Sequence, residues 1–145
     1  MANQQNKKEQ LLFFIWAQSV VATLGSLFFS EIMQFVPCTL CWYSRILMYP
    51  LVIIYGVALL KKDMQIALPG IILSGIGVVV AAYHYLIQKV PTFSKAGDSC
   101  GLVPCNTEYI NYGGFITIPF LALTAFVIIF ALHMTVLIQQ RRENR

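Results

Sequence analysis

The sequence predicts an all-α integral membrane protein, a four-helix transmembrane bundle with two extracytoplasmic loops, built as a single domain over residues 1–145. Three observations carry this. Of the 145 residues, 58% are hydrophobic and only 11% charged, so a water-soluble globule of this size could not be given a polar surface. Four apolar stretches, residues 11–29, 42–60, 65–87 and 115–138, run for roughly 19 to 24 residues each, enough for a helix to cross a hydrocarbon core of roughly 30 Å. Finally, Lys7, Lys8, Lys61, Lys62, Arg141, Arg142 and Arg145 flank these stretches so that four spans place them all on one side. By the positive-inside rule that side is the cytoplasm, and both termini are expected there.

The first stretch follows Lys7 and Lys8 like a secretory signal. It is too long for a signal core, however, and leads into Glu31 and Gln34 rather than a small-residue cleavage site, so it is expected to stay attached as span one. A short outer segment, residues 30–40, then carries Cys38, with Cys41 at the mouth of span two. Pro50 inside span two and Pro69 near the start of span three read as kinks that neighbouring helices tolerate. Between them "KKDMQ" is a tight turn with no sign of a site. The second outer segment, residues 88–114, is rich in Pro, Gly, Ser and Asn, reads as a flexible polar loop, and carries Cys100 and Cys105 in "SCGLVPC". Trp42, Tyr43, Tyr83, Tyr85 and Tyr112 all fall near the outer boundary, as interfacial anchors do. The opposite loops hold only Lys89 and Lys95, so the pI near 9.0 reflects topology. No basic patch interleaved with aromatics suggests nucleic-acid binding.

All four cysteines therefore lie outside the membrane or at its outer lip, where disulfides form and persist. In "PCTLCWYSR" the Cys38-x-x-Cys41 pair can close a small ring, and Pro37 suits a helix start. The positive end of that helix favours a sulfur anion at Cys41. Arg45 lies four residues further, on the same helix face. An arginine in a span costs about 2.5 to 3.5 kcal/mol at the membrane centre, so it calls for a functional reason; snorkelling to the headgroups is the bland one. Cys100 and Cys105 have four residues between them, a spacing that permits a small exposed disulfide open to exchange, or equally a structural brace. Zinc held by four thiolates is the weaker reading, because no short zinc-ribbon core surrounds either pair, and no metal centre is expected. His84 sits between Tyr83 and Tyr85 near the outer end of span three, as a hydrogen-bond donor, a proton carrier or a helix-bridging polar residue; Gln88 is one turn on. His133, in span four, reads as structural.

"GSLFFSEIMQFVPCTLCWYSRILMYPLVI" resembles the first loop and second span of the DsbB family of disulfide-bond formation proteins, especially its BdbC branch, with Cys38-x-Leu40-Cys41-x-Tyr43-x-Arg45 at the centre of the match. "YHYLIQKVPTF", "CGLVPC" and "YINYGGFITIPFLAL" resemble the third span, the second loop and the start of span four, so the likeness spans all but the polar tails. The resemblance implies a thiol-disulfide oxidoreductase of the bacterial plasma membrane that reoxidises a thioredoxin-fold partner of the DsbA or BdbD type and passes the electrons to a membrane quinone, menaquinone ahead of ubiquinone. It implies that Cys100 and Cys105 form the disulfide attacked by the partner, and that Cys38 and Cys41 form the one next to the quinone. Cys41 would touch the quinone ring, Arg45 would hold ring and thiolate together, and His84 resembles a position near the quinone. One departure is the short Cys100–Cys105 spacing, where the better-studied branch separates the pair widely around a membrane-parallel helix.

Three other classes are weighed against this one. A scaffold braced by two disulfides would resist reduction by a partner, whereas catalytic disulfides exchange rapidly. A vitamin K epoxide reductase-like enzyme has its Cys-x-x-Cys after the loop pair, and here it comes first. A transporter moving electrons outward would need cysteines on the cytoplasmic side.

Overall fold

The structure, a computed structural model, describes residues 2–98 and 101–143. Its long elements are α1 (Ala2–Leu27), which runs on into a π-helical turn (Phe28–Ile32), α2 (Thr39–Lys61), α3 (Leu68–Lys89) and α5 (Ile118–Glu143). A short helix, α4 (Pro91–Asp98), lies between α3 and α5. Four helical segments, Gln5–Ile32, Thr39–Lys61, Met64–Lys89 and Ile118–Arg142, are long and apolar enough to cross a membrane. They extend the expected spans because the polar ends of the chain continue the hydrogen-bond ladder beyond the apolar slab. The fourth starts later than expected. Gly113 and Gly114 take positive φ and Tyr112 pairs with Ile116, so the chain turns there before Pro119 opens α5 in its first turn, where no amide is owed.

The long helices form a four-membered ring in the order α1, α2, α3, α5: each packs on its two neighbours, and the diagonals hardly touch among the described residues. Two close approaches set the spacing. A Cβ on Gly77 of α3 would lie 2.3 Å from the Phe126 ring of α5, and one on Gly70 would lie 2.5 Å from Tyr55 Oη. Small residues at such crossings let helices pack by shape where lipid supplies no hydrophobic drive between them. Tyr55, Leu51, Phe126 and Ile129 fill the centre. His133, for which the sequence offers no partner, is hydrogen-bonded through Nδ1 to Tyr55 Oη at 2.8 Å, which supports the structural reading. The outward faces are as apolar as the core: Ile46, Ile53 and Leu60 on α2 and Ile72 and Val79 on α3 recur every seven residues and are exposed. That inversion is what a helix bundle facing lipid needs.

Lys62, in the left-handed conformation, ends α2, and its ammonium pairs with Glu9 at 3.1 Å, tying the start of α1 to the α2–α3 turn. The lysine-rich end of the bundle is thereby opposite the end that carries Cys38, Cys41 and Cys105. Pro69 occupies the first turn of α3 and does not break it. The segment expected as a flexible polar loop is more ordered than its composition suggests. Its first part is α4, and Cys105 N–H donates to the Gly97 carbonyl at 3.0 Å, which folds residues 101–105 back onto that helix. Lys89 pairs with Glu108 at 2.8 Å, and Gln88 Nε2 donates to the Thr107 carbonyl at 3.1 Å, fastening the loop to the end of α3.

Candidate functional site

The cysteine motif is placed by a helix start. Cys38 is the N-cap of α2, with extended backbone, and its carbonyl accepts the first intrahelical bond from Trp42 N–H at 3.1 Å. Cys41 is then the third helical residue, among amides that have no intrahelical acceptor. The two sulfurs are 3.3 Å apart, with Cys38 Sγ donating to Cys41 Sγ. That pair is asymmetric. The hydrogen bond to Cys41, reinforced by burial, pushes the Cys38 thiol up to about 12, and His84 only partly opposes this. Alkylation of the reduced pair is therefore expected to strike Cys41 first. Cys38 should stay unreactive through pH 9.0, where an ordinary thiol is half ionised, and should gain reactivity in that range once Cys41→Ala removes the largest cause. Equal labelling of both sulfurs, read by peptide mass, would contradict the asymmetry.

Arg45 is not directed to the headgroups alone. Its Nη2 donates to the Ser26 carbonyl of α1 at 3.2 Å, next to the point where the α1 ladder widens into its π turn, and its guanidinium carbon lies 5.4 Å from the Trp42 ring centroid. π turns open the backbone ladder and are frequent at functional sites. Trp42 thus has a cation–π partner as well as the boundary position read from sequence.

Cys41 and Arg45 share a cavity of about 390 Å³ between α1, α2 and α5. Its α1 wall is Gln18, Val21, Ala22, Gly25 and Ser26, a stripe at helical spacing continued by Phe29 of the π turn; α2 adds Ser44, Met48 and Tyr49, and α5 adds Leu121, Ala122 and Ala125. Phe35 and Tyr109, stacked with centroids 4.9 Å apart, close the cysteine end. The lining is mostly apolar, yet Ser44 Oγ and Tyr49 Oη are buried there without a hydrogen-bond partner among the described residues. Ser44 and Tyr49 carry no chemical signal of their own in the sequence, although Arg45, Met48 and Tyr49 lie four, seven and eight residues after Cys41.

His84 lies elsewhere. It is 3% exposed, its Nε2–H donates to the Cys105 carbonyl at 3.2 Å, and the same nitrogen is 3.6 Å from Cys38 Sγ. It lines a second, small cavity with Cys38, Cys41 and Gln88 instead of the large one. Cys105 was expected to be exposed, but it is 1% exposed, packed in one cluster with Cys38 and Ile87 because the Gly97 hydrogen bond draws it inward. Cys100 lies outside the described residues. The fold therefore brings Cys38, Cys41, Arg45, His84 and Cys105 to one end of the bundle.

A profile described as disulfide bond formation protein DsbB matches residues 8–136. The chain is 57% identical over 144 residues to a "probable disulfide formation protein" of Oceanobacillus iheyensis, covering 99% of each. It is 51% identical over 118 residues to "disulfide bond formation protein C" of Bacillus subtilis, covering 81% of this chain and 86% of that one. A third relative, the "SPbeta prophage-derived disulfide bond formation protein B" of the same organism, is 41% identical over 132 residues, 91% of this chain and 86% of its own. No solved structure matches the chain. Four apolar spans, a thiol pair at a helix start and these relatives together show that the chain belongs to the DsbB family of membrane disulfide bond formation proteins, which are oxidoreductases.

Proposed function

We propose that this protein reoxidises an extracytoplasmic thioredoxin-fold protein of the DsbA or BdbD type and transfers the two electrons to a membrane quinone. The observation that carries the reading is the apolar cavity that ends on Cys41 and Arg45. An apolar ring and tail suit its walls, and the two unpartnered hydroxyls and the guanidinium are donors for ring oxygens. Bound there, a quinone supplies an acceptor for two electrons and two protons.

In this reading the partner's thiolate attacks the Cys100–Cys105 disulfide at Cys100, since Cys105 is buried, and the partner leaves oxidised as its second thiol closes its own disulfide. Cys105, packed against Cys38, attacks the Cys38–Cys41 disulfide at Cys38 and releases Cys41 as the thiolate facing the cavity. Cys100 then displaces Cys38 and restores the loop disulfide. The His84 Nε2–H, 3.6 Å from Cys38, steadies negative charge on that sulfur as it leaves. Two electrons and two protons pass from the Cys38/Cys41 dithiol to the acceptor and the disulfide closes again. Arg45 holds the negative charge that develops at the transfer. The positive-inside distribution supports a site on the outer face of the bacterial cell membrane, with both termini cytoplasmic.

The test is purified protein with a reduced thioredoxin-fold partner and either menaquinone or ubiquinone, with partner oxidation and quinol formation followed together. One quinol per partner disulfide supports the reading, with menaquinone the better acceptor. Partner oxidation that proceeds without quinol would sink it. Within the cavity, Tyr49→Phe is expected to raise the KM for quinone about two- to tenfold with disulfides intact, since it removes one neutral hydrogen bond of about 0.5 to 1.5 kcal/mol. An unchanged KM would take Tyr49 out of the site.

A further inference from the structure

The geometry points to a binding site for a zinc-group cation, Zn²⁺ or Cd²⁺, formed by Cys38, Cys41 and His84 when the cysteine pair is reduced. This differs from a structural zinc held by four cysteines, against which the lack of a short zinc-ribbon core around either pair argues. Sγ of Cys38, Sγ of Cys41 and a ring nitrogen of His84 all lie within 4.8 Å of one another. Two sulfurs about 2.3 Å from a tetrahedral ion sit about 3.8 Å apart, and a sulfur and an imidazole nitrogen about 3.5 Å apart. Here the sulfurs are 3.3 Å apart and Cys38 Sγ is 3.6 Å from His84 Nε2, so half an ångström of opening between the thiols brings them to the required spacing.

A second observation is independent of those distances. The three donors line a small cavity of about 20 Å³, room for one small ion or water, together with Gln88. Gln88 is one helical turn from His84, and its Oε1 is buried without a partner among the described residues while its Nε2 is engaged by Thr107. Two sulfurs, one nitrogen and an amide oxygen are a complete tetrahedral set. Arg45, the nearest cation on α2, engages the Ser26 carbonyl on α1 and lines the other cavity.

Binding is a ligand exchange with no change of oxidation state. Two thiol protons leave as two cation–sulfur bonds form. The imidazole proton moves from Nε2 to Nδ1, which ends the hydrogen bond to the Cys105 carbonyl. Closing the disulfide removes both anionic ligands, so the site exists only in the reduced state. If the relay works as proposed above, an ion held here keeps the dithiol from reaching the acceptor; that consequence rests on the proposed function, whereas binding itself does not.

The experiment therefore omits quinone and partner. Cys100→Ser/Cys105→Ser protein, reduced and kept anaerobic, is titrated with Cd²⁺ and the thiolate-to-cadmium absorption is followed. One ion per chain is expected in the reduced protein and none after the Cys38–Cys41 disulfide is closed, with His84→Ala weakening affinity at least tenfold. X-ray absorption of the Zn²⁺ form of the same protein should show two sulfurs and at least one imidazole nitrogen, which keeps the test valid if the His84 variant does not fold. Equal binding to the oxidised protein, one ion shared by two chains, or a sulfur-only shell would overturn the site.

Discussion

Cys41→Ala is expected to reduce quinone turnover to background and to leave part of the protein carrying a Cys38–Cys105 disulfide. The first result follows because, among the described residues, Cys41 is the cysteine shared by the thiol pair and the large cavity, and so the sulfur placed to deliver electrons there. The second follows from packing. Cys105 is buried against Cys38, so Cys38 can attack the loop disulfide at Cys105 and release Cys100; with Cys41 gone Cys38 has no disulfide of its own to return to, and Cys100 alone competes for Cys105. Removing Cys41 also removes the hydrogen bond that is the largest cause of the raised Cys38 titration, so Cys38 becomes a better nucleophile. Peptide mapping under non-reducing conditions, after the free thiols are alkylated, reads that pair directly. A Cys38–Cys100 bond in its place, or residual quinol formation at the parental rate, would break the relay at its central step.

The parts of this molecule legible in the sequence are those that one residue type and one spacing determine. Span number follows from apolar length, because a helix must satisfy its own backbone before it can meet lipid. The Cys38–Cys41–Arg45 constellation follows from helical periodicity alone once Pro37 marks the start of α2. What the sequence could not show depends on contacts between distant segments. Cys105 reads as exposed because its loop is rich in glycine, proline and polar residues, yet one backbone bond to Gly97 turns it inward. His84 reads equally well as a cavity donor, but the rotation of α3 in the bundle aims it at Cys38 and the Cys105 carbonyl. Tyr49 carries no local signal beyond its spacing from Arg45, and its orphan hydroxyl is visible only when α1 and α5 enclose it.

Arg45→Ala is expected to leave the chain inserted, with its disulfides formed, and to lower kcat/KM for quinone between about tenfold and a hundredfold. A hydrogen bond to a charged group contributes about 1.5 to 3 kcal/mol, and each 1.4 kcal/mol is a factor of ten. Two functions of the side chain have to be separated, because Arg45 also braces α1 through the Ser26 carbonyl. Lysine keeps the charge near Cys41 but not the planar fork that can serve the Ser26 carbonyl and a ring oxygen together, so Arg45→Lys should recover only part of the loss. The alkylation rate of Cys41 distinguishes charge from bracing. It should fall in the alanine variant and return in the lysine variant, since a thiolate needs a nearby cation but is indifferent to which residue supplies it. Quinone kinetics and Cys41 reactivity that are both unchanged in Arg45→Ala would leave Arg45 as a helix brace and an interfacial anchor, and would remove the guanidinium from electron transfer.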